Sequence, residues 1–126
     1  MKIIKTNKAP AALGPYSAGI RLNNGFLFTS GQVPLDPITG NVVSEDVREQ
    51  AERSLLSIEG ILSEESYKMS DVVKTTVFIS DMNDFAAINE VYAKHFGDHK
   101  PARSCVQVAK LPKNVKLEIE VIAYKG

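Results

Sequence analysis

Val72-Val73-Lys74-Thr75-Thr76-Val77-Phe78-Ile79 is a short run of mainly β-branched residues set between two stretches whose apolar residues recur every three or four positions. Brevity and β-branching make it a strand, and its two neighbours read as helices. Upstream, Val47, Ala51, Leu55, Ile58 and Leu62 share one helical face, with Ser44 expected as the N-cap and Glu45 and Asp46 placing negative charge in the first turn. Downstream, Phe85, Ile88, Tyr92 and Phe96 form a narrow aromatic stripe. Asp81 or Asn83 is expected to cap this second helix, and Gly97 to stop it as the residue after the C-cap. Lys94 and His95 fall in its last turn, where cations meet the negative end of the helix dipole.

Further from this centre the pattern is that of strands. Ala102 to Ala109 and Val115 to Tyr124 are separated only by Leu111-Pro112-Lys113-Asn114, and that spacing predicts a hairpin. Towards the N-terminus, Ala18 to Leu22 and Phe26 to Thr29 meet at Asn23-Asn24-Gly25, where Asn-Gly tolerates the positive φ of a tight turn. A short strand around Ile3 precedes the Gly14-Pro15 turn. Pro34-Leu35-Asp36-Pro37-Ile38-Thr39-Gly40 excludes regular helix and favours a loop. The order strand, strand-strand, helix, strand, helix, strand-strand predicts one α+β domain over residues 1–126, with two helices on one face of a mixed sheet. One pair of helices covers one face, so the other is expected to be buried by further copies of the chain.

Composition narrows the function. Of 126 residues 44% are hydrophobic and 24% charged, with fifteen basic residues against fifteen acidic ones. With a pI near 6.7, no global field draws the protein to nucleic acid or anionic lipid, and a small-molecule partner is the better expectation. The apolar runs fall far short of the roughly 18 residues of a membrane span, and the N-terminus lacks a signal-like apolar region, so a cytoplasmic protein is expected. Cys105 is the only cysteine, which excludes an intrachain disulfide, and His95 and His99 lack carboxylates at ligand spacing, which argues against a metal site. Dinucleotide-binding, phosphate-loop and nucleophile-elbow signatures are absent.

Alternation along the fifth strand sends Arg103, Cys105 and Gln107 one way and Ser104, Val106 and Val108 the other, and the apolar set is expected to face the core. Arg103 would then stand beside the lone thiol on the less apolar face. Its planar fork suits a carboxylate, although a surface arginine beside a small cysteine is the commoner arrangement. In the last strand Lys116, Glu118 and Glu120 oppose an apolar face, and a hairpin could bring one of these carboxylates to Arg103 as a general base or as an ordinary cross-strand ion pair. Tyr16 follows a rigid turn, and most tyrosines so placed simply pack. Gly31 ends a strand where backbone could approach a ligand closely. Asn89 lies off the centre of its stripe, where asparagine usually faces solvent.

Gly14-Pro15-Tyr16-Ser17, Thr29-Ser30-Gly31-Gln32-Val33-Pro34, Val73-Lys74-Thr75-Thr76-Val77-Phe78 and Pro101-Ala102-Arg103-Ser104-Cys105-Val106 resemble the Rid (YjgF) family in order and spacing. The resemblance covers essentially the whole chain. Its most specific part, Pro101 to Val106 with Leu111-Pro112 and Leu117-Glu118-Ile119-Glu120, is similar to the family's deaminase branch. The resemblance implies a chorismate-mutase-like fold of the bacillary type, built into a homotrimer around a barrel core, with a site in each cleft between subunits. It implies hydrolysis of 2-imino acids such as 2-iminopropanoate and 2-iminobutanoate to 2-keto acids and ammonia, without a cofactor. Arg103 would bind the substrate carboxylate and Glu118 would position the attacking water. Tyr16 would line the pocket, Ser30, Gly31 and Cys105 would help hold the substrate, and Asn89 would lie near the cleft. Two stretches depart from the family pattern: Ser63 to Met69 replaces a commoner glycine-containing loop, and His99-Lys100 stands where an aromatic residue often precedes Pro101. The alternatives are a non-catalytic binding module for 2-keto acids or related carboxylates and the ribonuclease or translation-inhibitor activity attributed to some relatives, which the neutral charge balance disfavours.

Overall fold

The computed structural model describes all 126 residues. The run Val72–Ile79 forms a strand with those bounds, β4, and lies one strand in from the edge of a six-stranded sheet. The other strands are β1 (Lys2–Ile4), β2 (Gly19–Arg21), β3 (Phe26–Thr29), β5 (Ala102–Gln107) and β6 (Leu117–Tyr124), and the order across the sheet is β1-β2-β3-β6-β4-β5. All neighbours are antiparallel except β4 and β5. That parallel pair is joined through helix α2 (Phe85–Phe96), because parallel strands need a crossover and not a tight turn.

The expected hairpin between the last two strands does not form. β6 pairs with β4 and β3, and β4 separates it from β5. The connection instead carries a 3₁₀ turn at Pro112–Asn114, with Lys113 and Asn114 both at φ 55°, and this turn redirects the chain to the far side of β4. The first hairpin forms as expected, with Gly25 at φ 100° in its turn.

Helix α1 (Val47–Ser63) buries Ala51, Leu55, Ile58, Ile61 and Leu62 completely against the sheet. Each buried Leu or Ile contributes about 1.5–3 kcal/mol. The helix is capped by Asp46, whose carboxylate accepts from the Arg48 N–H at 2.7 Å and the Glu49 N–H at 3.3 Å, and not by Ser44. Ser44 lies two residues earlier and accepts from the Asp46 N–H at 3.0 Å. Asp81 caps a 3₁₀ turn, Met82–Asp84, that leads into α2, and Gly97 is itself the C-cap of that helix at φ 61°.

Both helices pack on one face of the sheet, where Leu27, Val77, Ile79, Leu117, Ile119, Val121 and Ala123 complete the core. The opposite face is apolar as well. Ile3, Ile20, Phe28 and Ile122 are register partners across four adjacent strands, and Phe78 and Val106 continue the same surface on β4 and β5. Ile3, Phe28 and Val106 are 52%, 40% and 44% exposed. No helix is long and apolar enough to cross a membrane.

Candidate active site

Glu118 owes its position to the alternation of β6. With Leu117 and Ile119 buried against the helices, the carboxylate between them emerges on the open face. Gln32 and Ile119 exchange backbone hydrogen bonds of 2.7 and 3.1 Å, which brings the chain after β3 alongside Glu118. Gly31 is the point of contact: a Cβ built there would stand 2.0 Å from Glu118 Oε2. The glycine is needed for space, since only its missing side chain leaves room for the carboxylate.

Tyr16, Ser30, Gly31 and Glu118 line one cavity of about 430 Å³, together with Leu13 and Lys113 among others. Tyr16 does not pack into the core; it is 56% exposed, in the turn closed by its own N–H to the Gly14 carbonyl at 2.8 Å. The Ser30 hydroxyl donates to the Ser17 carbonyl at 2.6 Å, and its N–H donates to the Ala18 carbonyl at 2.9 Å. Ser30 thereby fastens the segment carrying Tyr16 to the end of β3. Lys113 bonds the Gly40 carbonyl at 3.0 Å. Burial pushes the Glu118 carboxyl above its ordinary range, and the neighbouring Glu120 carboxylate pushes it the same way. Such a carboxyl exchanges protons closer to neutral pH than a free one.

Arg103 lies elsewhere. Its register partner on β4 is the buried Thr75, so Arg103 and Cys105 project toward the helices while Ser104 and Val106 share the open face. This reverses the expected polarity of β5. The strand is a sheet edge with both faces only partly covered, so its alternation carries little signal about which side is core.

The Arg103 guanidinium donates from Nη1 to Asn89 Oδ1 at 2.6 Å, and its central carbon sits 4.9 Å from the Tyr92 ring centre and 5.5 Å from that of Phe85. Asn89 therefore faces the arginine and not bulk solvent. Phe85, Asn89 and Tyr92 follow one another at i, i+4 and i+7, so a single line of α2 forms the bed on which Arg103 lies. The cavity here, about 650 Å³, also has His99 and Lys100 in its wall. The His99 Nε2 lies 2.6 Å from the Val72 carbonyl. Cys105 packs partly against the core; burial raises its thiol pKa, only partly opposed by Arg103, which suits a neutral packing group better than a nucleophile.

Within one chain the expected site residues thus form two groups on opposite faces of the sheet. Tyr16, Ser30, Gly31 and Glu118 make one, and Asn89, Arg103 and Cys105 make the other. The expected meeting of Arg103 with Glu118 or Glu120 on one face does not occur, because Glu118 is the register partner of Phe78 and Glu120 that of Thr76, both on the open side. Sequence reading missed Phe85, Tyr92 and Thr75 as the surroundings of Arg103. The i, i+4, i+7 spacing of Phe85, Asn89 and Tyr92 is the available signal, but pattern alone assigns the two aromatics to the core stripe and Asn89 to solvent.

Residues 6–125 match the family described as Endoribonuclease L-PSP. The chain is 51% identical to the 2-iminobutanoate/2-iminopropanoate deaminase of Salmonella typhimurium, over 98% of each chain. Among solved structures, Escherichia coli TdcF with bound serine superposes with a TM-score of 0.95 at 50% identity and full coverage of both chains. The YjgF gene product of E. coli gives a TM-score of 0.95 at 48% identity, again over the full length of both.

Proposed function

Because this chain belongs to the Endoribonuclease L-PSP family, also known as YjgF/Rid, we propose that it hydrolyses reactive enamine and imine intermediates to 2-keto acids and ammonia. Relatives at about half identity carry the deaminase name, which supports enzymatic deamination at the family level. The substrates proposed for this chain are 2-aminoacrylate with its tautomer 2-iminopropanoate, and 2-iminobutanoate. The observation that carries the reading is the half-buried Glu118 carboxyl, held against Gly31 in a cavity shared with Tyr16 and Ser30 and titrating above its ordinary range.

In the proposed reaction the substrate carboxylate pairs with the Arg103 fork, whose orientation Asn89 holds. Cys105, Ser30 and the Gly31 backbone help hold the rest of the small molecule, and Tyr16 closes the pocket. A water hydrogen-bonded to Glu118 attacks the protonated imine carbon. The carboxylate takes a proton from that water as the C–O bond forms, giving a tetrahedral carbinolamine. Glu118 then returns the proton to nitrogen, and as the C–N bond breaks it takes the hydroxyl proton, so that the C=O of the 2-keto acid forms; the departing ammonia carries that proton away as ammonium and leaves Glu118 a carboxylate again. No metal or organic cofactor enters this sequence. The chemistry asks chiefly for orientation and one well-placed base.

Since the two groups of residues lie on opposite faces of one sheet, the complete site is proposed to form between subunits. The Arg103 group of one chain meets the Glu118 group of the next in a homotrimer whose apolar open faces line the centre. The apolar row from Ile3 to Ile122, exposed at Ile3 and Phe28, supports this, being the kind of surface that an oligomer buries. A cytoplasmic location is part of the proposal.

Adding the protein to a pyridoxal-dependent dehydratase turning over serine or threonine tests the reading. Wild type should accelerate release of ammonia and keto acid, and an Arg103→Ala control should not. No acceleration by wild type would leave the carboxylate-binding module, which the serine bound to TdcF makes the next reading.

A further inference from the structure

Arg103 is fixed from more sides than its bond to Asn89. Its neighbour across the parallel ladder is Thr75, which is fully buried on β4. The Thr75 hydroxyl meets the Tyr92 hydroxyl at 2.8 Å, and the Tyr92 ring lies under the guanidinium at 4.9 Å. Phe96 holds the ring in turn, with centroids 4.6 Å apart. A closed circuit results, from Arg103 to its register partner, through a buried hydroxyl pair, to the ring beneath Arg103. A flexible side chain at an exposed strand edge would otherwise sample many rotamers, and holding it in one removes an entropic cost from every binding event.

We propose that Tyr92, locked by Thr75, is a positioning residue for the carboxylate-binding arginine, its ring serving as the floor that sets the plane of the guanidinium. Phe85, at 5.5 Å, is the second wall of this bed. Aromatic faces attract a guanidinium and leave its outward N–H groups free, so the floor fixes direction without consuming the donors that a substrate needs. Burial keeps the Tyr92 phenol above its ordinary pKa, so the ring stays neutral throughout the working range. The inference rests on the proposed role of Arg103 and deepens it: the preference for a carboxylated substrate is built by residues that never touch that substrate.

The test combines kinetics with a signal that needs no turnover. Tyr92→Leu removes the ring face and should raise KM for the 2-imino acid about tenfold, while kcat stays within about threefold because Glu118 is untouched. Tyr92→Phe should recover most of that loss. Thr75→Val and Tyr92→Phe should each raise KM about threefold, and the double variant should be no worse than either, since both delete the same bond. In nitrogen-edited NMR the Arg103 guanidinium protons should be shifted upfield by the two ring faces, and should move toward free-arginine positions in Tyr92→Leu.

An unchanged KM in folded Tyr92→Leu, or a Phe variant as impaired as the Leu variant, overturns the proposal. If Tyr92→Leu fails to fold, the Thr75 and Tyr92 cycle decides, and additive losses or none overturn it. If wild type hydrolyses no imine, the functional reading fails and the NMR comparison still judges the floor: a guanidinium signal the same in wild type and variant ends the idea.

Discussion

The cluster around Arg103 and the cavity around Glu118 are built on the same sheet but to different degrees of completion. On the helix face Arg103 has a hydrogen-bond partner, two aromatic walls and a buried hydroxyl pair behind them, all supplied by β4, β5 and α2. On the open face Glu118 has a raised pKa, a glycine in front of it and a cavity walled largely by turns, with Tyr16 more than half exposed. In the proposed reaction the first is the binding half, assembled by regular structure, and the second is the chemical half, which a further copy of the chain would close. Under that proposal the contrast teaches that one fold can complete a recognition element within a chain while leaving its catalytic element to an assembly.

The strongest way to break that comparison is to separate the halves genetically. Arg103→Ala and Glu118→Gln should each lower turnover by about 10³-fold or more while leaving the fold intact. Chains of the two kinds, unfolded and refolded together in equal amounts, should recover about one quarter of wild-type activity. That is the share of clefts in which random mixing pairs an intact arginine from one chain with an intact carboxylate from another. Recovery at the level of the separate variants would mean that the halves do not meet between chains. Gly31→Ala comes next, with an expected loss of about 10- to 100-fold in kcat, because the new Cβ would stand 2.0 Å from Glu118 Oε2 and push the carboxylate aside. Thermal unfolding should place that variant near wild type, so that the loss is read as a displaced carboxylate. The smallest effect concerns pH. A base whose pKa is raised loses its charge early as pH falls, so the acid limb of kcat should lie above the ordinary glutamate value of 4.5. Glu120→Gln removes one of the two raising influences and should move that limb to lower pH. A limb that stays in place would show that burial alone sets it.

Much of this was legible in the residues. β3 and β4 have the bounds their patterns predict, and the Asn-Gly hairpin and both helices stand where expected. The alternation of β6 correctly put Glu118 opposite the core. What was not legible depends on long-range pairing. The short link through Pro112 favours a hairpin locally, but insertion of β4 between β5 and β6 is decided by the crossover through α2, which no local pattern encodes. The faces of β5 were misread because Val106 belongs to an apolar surface open to solvent within one chain, so apolarity and burial part company there. Ser44 and Asp46 compete for the same helix start, and their spacing alone does not choose between them.

The contact between Gly31 and Glu118 also offers a diagnostic for reading other chains of this fold. Because the glycine is required by volume and not by a left-handed backbone, a side chain there can be accommodated by moving the carboxylate without disturbing the sheet. A related sequence that keeps the glutamate but carries a bulkier residue at this position should therefore fold normally, hold a carboxylate ligand through its arginine, and hydrolyse little. That one position would separate hydrolytic members from ligand-binding ones while the glutamate itself still advertises catalysis.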